Sequence, residues 1–484
     1  MNRIFTTALA LPATLAATLS AQALTLSMKE AVATALERNF SIKIQQIEPQ
    51  IAREGIRGAS GLFDPVIESE YLYQRNEWSG YDRDEESAGF RFGIGSTLPW
   101  GTQWEARVES DDRTTPFDFQ TGGYYDSISS FAGIVVTQPI LRGFGMDGTY
   151  SGVRIARESS NASWELFRAQ VMDTVEATVV AYQNLYFAQE NLRIAERNRD
   201  LALQLLKDNR KRVETGAMAP LDLVQAESEA ALREVSVISS RALLKQARNS
   251  LKSLIWSEGE TVLTLDLEIL PPEVPDYFEP DMGRDYQLAL ANRPEYLASV
   301  SGLNLRQLEL GQLRRNALPQ LDIVGSAGRR GLDNNLDDSL NQAFSDGDAS
   351  YSIGAVFSLP FPNRSRSAEK TQAYLRRNQA ELGLQRLEQD MRLELDDAGT
   401  RLTADWDRIK AARTARELSE KSLQAEEKKL QAGTSTTFVV LRLQGDLAIA
   451  EIREINALAD YTISLARYHR VRGKILDVFN ITLE

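Results

Sequence analysis

Residues 26 to 74 of this 484-residue chain reappear 254 positions later without a gap, and the repeated unit is a helix running into a strand at a proline. Met28, Ala35, Leu36, Ile51 and Ile56 fall on Met282, Ala289, Leu290, Leu305 and Leu310, and then Pro65 and Ile67 fall on Pro319 and Leu321. At an offset of 221, Gln138-Pro139-Ile140 faces Leu359-Pro360-Phe361; at 217, Glu214-Thr215-Gly216 with Leu221 and Val224 faces Gln431-Ala432-Gly433 with Phe438 and Leu441. Each half therefore reads helix, strands, long helix, glycine break, long helix. The first half carries about 33 extra residues in its strand region. The later shift of four is about one helical turn and preserves the buried face. Copies of one pattern favour one intertwined structure over a string of independent domains.

The division expected is a signal peptide over 1–23, a first repeat over 24–260, a linker over 261–280 and a second repeat over 281–484. The first repeat holds strands over about 62–140 and a helical hairpin over 148–256; the second holds strands over about 317–360 and a hairpin over 363–478. At the N-terminus Arg3 is the only charge before an apolar stretch from Ile4 to Leu19, and Ala21-Gln22-Ala23 supplies the small residues of a cleavage site. Beyond it no run of 18 apolar residues exists, so no helical membrane span is expected, and the exported chain is either soluble or inserted as a barrel.

Residues 62 to 140 bear on that choice. Phe90, Phe92 and Ile94 alternate with Arg91, Gly93 and Gly95, and Trp104, Ala106 and Val108 alternate with Glu105, Arg107 and Glu109. This is the period of two of a strand. Further strands are expected at Pro65–Gln74, Phe131–Gln138, Gln320–Gly328 and Tyr351–Leu359. A soluble sandwich would alternate in the same way. Tyr71, Tyr73, Trp78, Trp100, Trp104, Tyr124 and Tyr125, at or near strand ends, tilt the reading toward a bilayer, whose interfaces favour such rings.

The helices are long for so few strands. From about Gly148 to Glu214 there is no proline, and Val171, Val175, Thr178, Tyr182, Leu185, Gln189 and Leu192 form a heptad seam. At 1.5 Å per residue that segment reaches about 100 Å, as does its counterpart from Ser365 to Gln431. Neither finds enough core within one compact domain. Six strands, or four if the 33 extra residues fold over the rim, are too few to close a membrane barrel, for which eight is the practical minimum. Several copies must then share one barrel, because hydrocarbon leaves no backbone group without a partner. Three copies give 12 or 18 strands.

The order of elements, the strand exit Thr137-Gln138-Pro139-Ile140-Leu141-Arg142-Gly143-Phe144-Gly145, and the breaks Thr215-Gly216 to Leu221-Asp222-Leu223-Val224 and Ala432-Gly433-Thr434 to Val439-Val440-Leu441 resemble the TolC outer-membrane efflux family over nearly the whole mature chain. The resemblance implies an α+β membrane protein, a homotrimer whose outer-membrane β-barrel is continuous with a long periplasmic α-helical barrel. It implies a passive exit duct of tripartite efflux or type I secretion, in the outer membrane of a Gram-negative-type cell with a large periplasmic portion. Its partners would be outer-membrane lipid, a periplasmic adaptor and an inner-membrane pump of RND, ABC or MFS type. No cofactor, metal or enzyme activity goes with it.

By the same resemblance, Gly216, Leu221, Asp222, Val224, Gly433, Phe438 and Leu441 would form the periplasmic tips that meet the adaptor. Relatives carry acidic residues at the second tip where this chain has Val439 and Arg442, and a Tyr and an Arg beside the second glycine where it has Leu430 and Ser435. An Arg442 ring lining the lumen would favour anions; the alternative is a surface arginine beside Asp446. Pro65, Pro139, Gly143, Gly145, Pro319, Pro360 and Pro362 are expected where strands pass into helices, since proline forbids a ladder bond.

Other signals carry less. A net charge of −13 argues against nucleic acid. The absence of cysteine and the single histidine, His469, exclude disulfides, thiolate or multi-histidine zinc sites, Cys nucleophiles and lipidation on cysteine. Gly143-Phe144-Gly145-Met146-Asp147-Gly148 spells G-x-G-x-x-G, yet the helix that follows is too long for a βαβ unit. Asp333, Asp337, Asp338, Asp346 and Asp348 read as a solvated loop, as do Asp111, Asp112 and Asp118; Asp396, Asp397, Asp405 and Asp407 read as a charged helix face. A non-channel coiled-coil rod and an exported enzyme are the competing classes: the rod would not need alternating aromatic strands, and the enzyme would need a convergent polar cluster.

Overall fold

The structure, a computed structural model, describes residues 24–77, 85–115, 125–216, 219–255, 267–432 and 434–483. The expected signal peptide, Trp78, Asp118, Tyr124, Gly433, linker residues 261–266 and the side chains of Asp222 and Tyr125 lie outside that description. In chain order the elements begin β1 (Leu24–Leu26), α1 (Met28–Arg38), α2 (Phe40–Ser60), β2 (Val66–Asn76), β3 (Glu85–Thr97), β4 (Gln103–Thr115) and β5 (Tyr125–Pro139). Then come α3 (Met146–Thr149), α4 (Ser151–Glu214), α5 (Pro220–Ile255), β6 (Leu267–Ile269), α6 (Met282–Asn292), α7 (Pro294–Asn316) and β7 (Gln320–Asp333). The last are α8 (Leu336–Phe344), β8 (Asp348–Ser358), α9 (Arg364–Gln431), α10 (Thr437–Val471) and α11 (Ile475–Val478). The chain divides into two compact units: Met1–Glu48, Trp164–Ala298 and Gln385–Glu484 form one, and Pro49–Ser163 with Ser299–Leu384 form the other.

The second unit is built on one antiparallel sheet in the order β2-β3-β4-β5-β7-β8. The strand-rich stretch of the first half supplies four of its strands and the second half two, so the extra residues there fold as strands rather than as a cover over the rim. The register fixes what each face carries, because successive side chains point to opposite sides. One row runs Ile67, Ile94, Ala106, Ile134, Ala327 and Tyr351, and the next Ser96, Trp104, Val136, Gly325 and Ile353. The opposite face carries Glu70, Arg91, Glu109, Phe131, Arg330 and Asp348 in one row and Gly95, Glu105, Val135, Ser326 and Ser352 in another. The apolar face is left open: Tyr351 is 86% and Ile353 85% accessible.

The loop expected as solvated between β7 and β8 is instead a helix. Asn335 caps α8, its side-chain oxygen accepting from the Asp337 N–H at 3.1 Å, and the helix lies on β7, β5 and β4. The short polar cap and the Leu336, Leu340, Phe344 spacing carry that helix. Aspartate count alone suggests a loop.

In the first unit, α1 starts with a capping box: the Glu30 N–H donates to Ser27 Oγ at 3.3 Å and the Ser27 N–H to the Glu30 carboxylate at 2.8 Å. The seam of α4 is buried at Val171, Val175, Thr178, Tyr182 and Leu185 and opens at Gln189 and Leu192, which are partly exposed. The inter-repeat linker is not a bare connection. Within it β6 pairs in parallel with β1, and the phenol oxygen of Tyr182 sits 3.0 Å from the Leu26 carbonyl oxygen and 2.7 Å from that of Leu270. Farther along, the Tyr461 hydroxyl donates to the Asp276 carbonyl at 2.8 Å and accepts from the Phe278 N–H at 3.1 Å.

That linker leads into a buried polar cluster. Asp285 has no exposed surface; it accepts from the Tyr468 hydroxyl at 2.6 Å and from Arg472 at 3.1 Å, and the Arg472 guanidinium lies 4.8 Å from the Phe278 ring centre. Burial alone would raise the Asp285 carboxyl, but hydrogen bonds from Tyr468 and Arg284 hold it below the usual carboxylate range. His469 packs edge-on against Phe278, and burial, reinforced by Arg472, pushes its pKa down to about 4. The lone histidine is thus a neutral packing residue.

Candidate functional site

Two regions hold the residues to which a function can be attached. The first is the polar face of the sheet. The Arg91 guanidinium bridges Glu109 at 3.2 Å and Glu70 at 3.5 Å, and Arg107 reaches Glu109 at 3.4 Å and Glu105 at 3.7 Å. Glycines interleave with these charges: a Cβ at Gly93 would stand 2.9 Å from the Glu105 carboxylate. Such partly exposed pairs are each worth about 0–1 kcal/mol, so they hold little of the fold together. What they make is a hydrophilic wall of alternating charge backed by an apolar one.

Where strands pass into helices, the predicted prolines and glycines each have a local task. Pro139 is the last residue of β5, after which the Ile140 N–H still donates to the Leu321 carbonyl at 2.8 Å. Pro65 and Pro319 immediately precede β2 and β7, and Pro360 and Pro362 fall between β8 and α9. Gly143 and Gly145 have φ of +79° and +82°, and the Gly145 N–H donates to the Trp100 carbonyl at 2.9 Å. The G-x-G-x-x-G string is therefore a turn that packs on the β3–β4 connection, and Gly148 is kept small by Gly143 against it.

The second region comprises the helix ends of the first unit. α4 ends with Gly216 at φ +73°, its N–H donating to the Val213 carbonyl at 3.0 Å, and nothing lies within 4 Å of where a Cβ would be. The glycine is there for its backbone conformation. Pro220 then opens α5 at the position where its missing N–H costs nothing. Leu221 and Val224 are exposed. In the other hairpin, Ser435 donates to the Glu426 carboxylate at 2.6 Å and Lys429 pairs with it at 2.9 Å. The Ser435 bond first and Lys429 second hold the Glu426 carboxyl below its usual range.

Between the two helix ends lies a groove of about 900 Å³. Arg212, Gln225, Glu229 and Arg233 line one side of it and Phe438, Leu441, Arg442 and Gly445 the other. Arg233 pairs with Glu229 at 2.5 Å and lays its guanidinium across Gly445, where a Cβ would come 2.9 Å from Nη2. Three predicted tip residues, Phe438, Leu441 and Arg442, meet in this groove; Gly216, Leu221, Val224 and Val439 are not part of its lining. Arg442 is exposed, and no ion pair joins it to Asp446 among the described residues. The sequence reading missed Arg233 and Gly445. A lone glycine inside a long helical run is the signal that would have found the second, since such a glycine marks close packing.

Among the described residues no helix is long and apolar enough to cross a membrane, and no cluster of metal-ligating side chains occurs. The chain is 24% identical over 364 residues to outer membrane efflux protein BepC of Brucella suis biovar 1 (strain 1330), covering 73% of each protein. Its fold is similar to the Campylobacter jejuni CmeC outer membrane channel, with a TM-score of 0.69 at 16% identity over 93% of this chain and 86% of that one. It is also similar to the open state of the Neisseria gonorrhoeae MtrE outer membrane channel, with a TM-score of 0.65 at 17% identity over 95% and 94%. The model of the outer membrane efflux protein family matches residues 31–255 and 286–473, one block in each half, and the chain belongs to that family.

Proposed function

We propose that the chain is the outer-membrane exit duct of a tripartite efflux or type I secretion system, a homotrimer that conducts substrates passively from an inner-membrane pump. The observation that carries this reading is the polarity of the sheet. An exposed apolar face backs an Arg/Glu-lined face, and β2 and β8 each have a strand on one side only among the described residues. Three copies joined edge to edge give 18 strands, wide enough for a water-filled lumen, with Ile353 and Tyr351 toward lipid and Arg91 and Glu109 toward water. The halves 24–260 and 281–484 act as structural repeats in this arrangement, behind a cleaved segment 1–23.

The helix ends would face the adaptor. The groove lined by Phe438, Leu441 and Arg233 has the size and mixed polarity of a seat for a helical hairpin, and Gly216 sets the turn that precedes α5. Val439 and Arg442 would stand near the constriction, where arginine favours anions. Single-channel conductance of the detergent-purified oligomer in a planar bilayer, with its mass measured in parallel, tests the whole reading. A trimer with discrete steps and anion preference is the expected result; a detergent-free monomer or dimer without conductance would return the chain to the coiled-coil rod. Phe438→Asp should abolish efflux while leaving the trimer intact, and unchanged efflux would remove the groove from the adaptor contact.

A further inference from the structure

We propose that α8 is an interfacial lipid anchor, a short helix carried on the outer wall of the barrel whose Leu336, Leu340 and Phe344 enter the boundary between acyl chains and headgroups. The inference rests on the reading that the apolar sheet face meets lipid, and it adds an element with a distinct job at that surface.

The helix sits on the apolar face. Ser110, Ser130 and Gly331 share one row of that face, and Ser339 of α8 lies over them, its Oγ 2.8 Å from Ser130 Oγ and 3.0 Å from the Ile128 carbonyl oxygen. Ser130 in turn donates to Ser110 at 3.0 Å. A side chain at Gly331 would collide with the Ser339 carbonyl, so this glycine lets the helix approach. Ser130 and Ser339 are fully buried. Without α8 the Ser130–Ser110 pair would stand open on a wall facing hydrocarbon, where polar groups are costly; α8 adds the Ser339 hydrogen bond, covers the pair and becomes the outermost surface.

What α8 turns away from the sheet is not polar throughout. Leu336, Leu340 and Phe344 recur every four residues along one flank, with Phe344 65% exposed, while Asp337, Asp338 and Asn341 occupy another. This is the amphipathic division of a helix lying in an interface. A second copy does not account for the apolar flank. Copies join at β2 and β8, whereas α8 rests on β7, β5 and β4 in the body of the sheet. Its apolar flank instead lies on the same side of the sheet as Ile134, Tyr351 and Ile353. The helix follows β7 at the end opposite Gln320, where the chain arrives from α7, so it belongs to the rim remote from the helical connections.

The chain has no cysteine, so single spin labels can be placed without background. Leu336→Cys, Leu340→Cys, Phe344→Cys, Asp337→Cys and Ile353→Cys are labelled in the full-length oligomer in lipid vesicles, and collisions with oxygen and with a water-soluble nickel chelate are compared. The expected result is a several-fold oxygen preference at 340 and 344, chelate preference at 337 and the strongest oxygen preference at 353. Chelate preference at 340 and 344 with oxygen preference at 353 overturns the anchor and leaves the barrel standing. Low collision with both reagents at 344 overturns it in favour of a protein cover. Chelate preference at 353 as well overturns the barrel reading and the anchor together. Three apolar positions are read separately, so one variant that fails to fold leaves the test intact.

Discussion

The two units of this chain solve opposite packing problems with similar residues. In the unit built on α4, α9 and α10, Phe167, Tyr182, Leu185 and Tyr461 are buried among helices and arginine–carboxylate pairs cover the outside. In the sheet unit, Tyr351, Ile353 and Phe357 face outward and the charges gather on the other side. On the channel reading proposed above, the difference is that of one chain folded against two solvents. Water rewards burial of the aromatic ring in one region, and hydrocarbon accepts its exposure in the other.

Matched substitutions test the contrast. Phe167→Ala should cost about 3–5 kcal/mol in denaturant unfolding because the residue is fully buried, whereas Phe357→Ala, 65% exposed, should fall within about 0.5 kcal/mol in detergent. Equal losses would mean that the sheet face is covered by protein. Ile353→Arg should cost up to about 2–4 kcal/mol in a bilayer and deplete the outer-membrane oligomer, while Ser352→Arg on the opposite face is tolerated; reversal of that order would invert the wall.

The buried cluster gives a smaller, pH-linked effect confined to the helical unit. His469 stays neutral in the fold with a pKa of about 4, but the unfolded chain takes up a proton near 6.5. Stability is thus full well above pH 6.5 and falls as the pH drops toward 4, by about 1.5 kcal/mol between pH 6.5 and 5. His469→Gln should flatten that slope, which urea titrations at the two pH values would read. Smallest of all, Arg91→Gln should change stability by less than about 1 kcal/mol yet shift the ion preference of the conducting oligomer. A large stability loss would make the Arg91–Glu109 network structural instead.

Much of this was legible from side-chain periodicity. Phe90–Ile94 and Trp104–Val108 alternate apolar with polar or glycine residues, and those segments lie within β3 and β4, with the apolar members on one face. The α4 seam repeats at heptad spacing and is buried where it is most apolar. Offsets between the halves located the extra residues of the first half but left open whether they added strands, since strand pairing joins β5 to β7 across the 180 residues between Pro139 and Gln320 and pairing partners leave no local pattern. β1 and β6 were missed for the same reason: three residues each is too short for any period to show. The tip groove was only half legible. Phe438 and Leu441 belong to a recognisable break, but Arg233 comes from the other hairpin and meets Gly445 only in three dimensions.

The pairing of β1 with β6, clamped by Tyr182, sets an order of events in time. The first residues after the expected cleavage site have no strand partner until Leu267–Ile269 has been delivered, and the cluster around Asp285 waits further for Tyr468 and Arg472 near the end of the chain. Contacts so distant in sequence form late. If the chain is threaded out from its N-terminus, as the proposed function requires, this unit cannot seal until Tyr468 and Arg472 have also crossed.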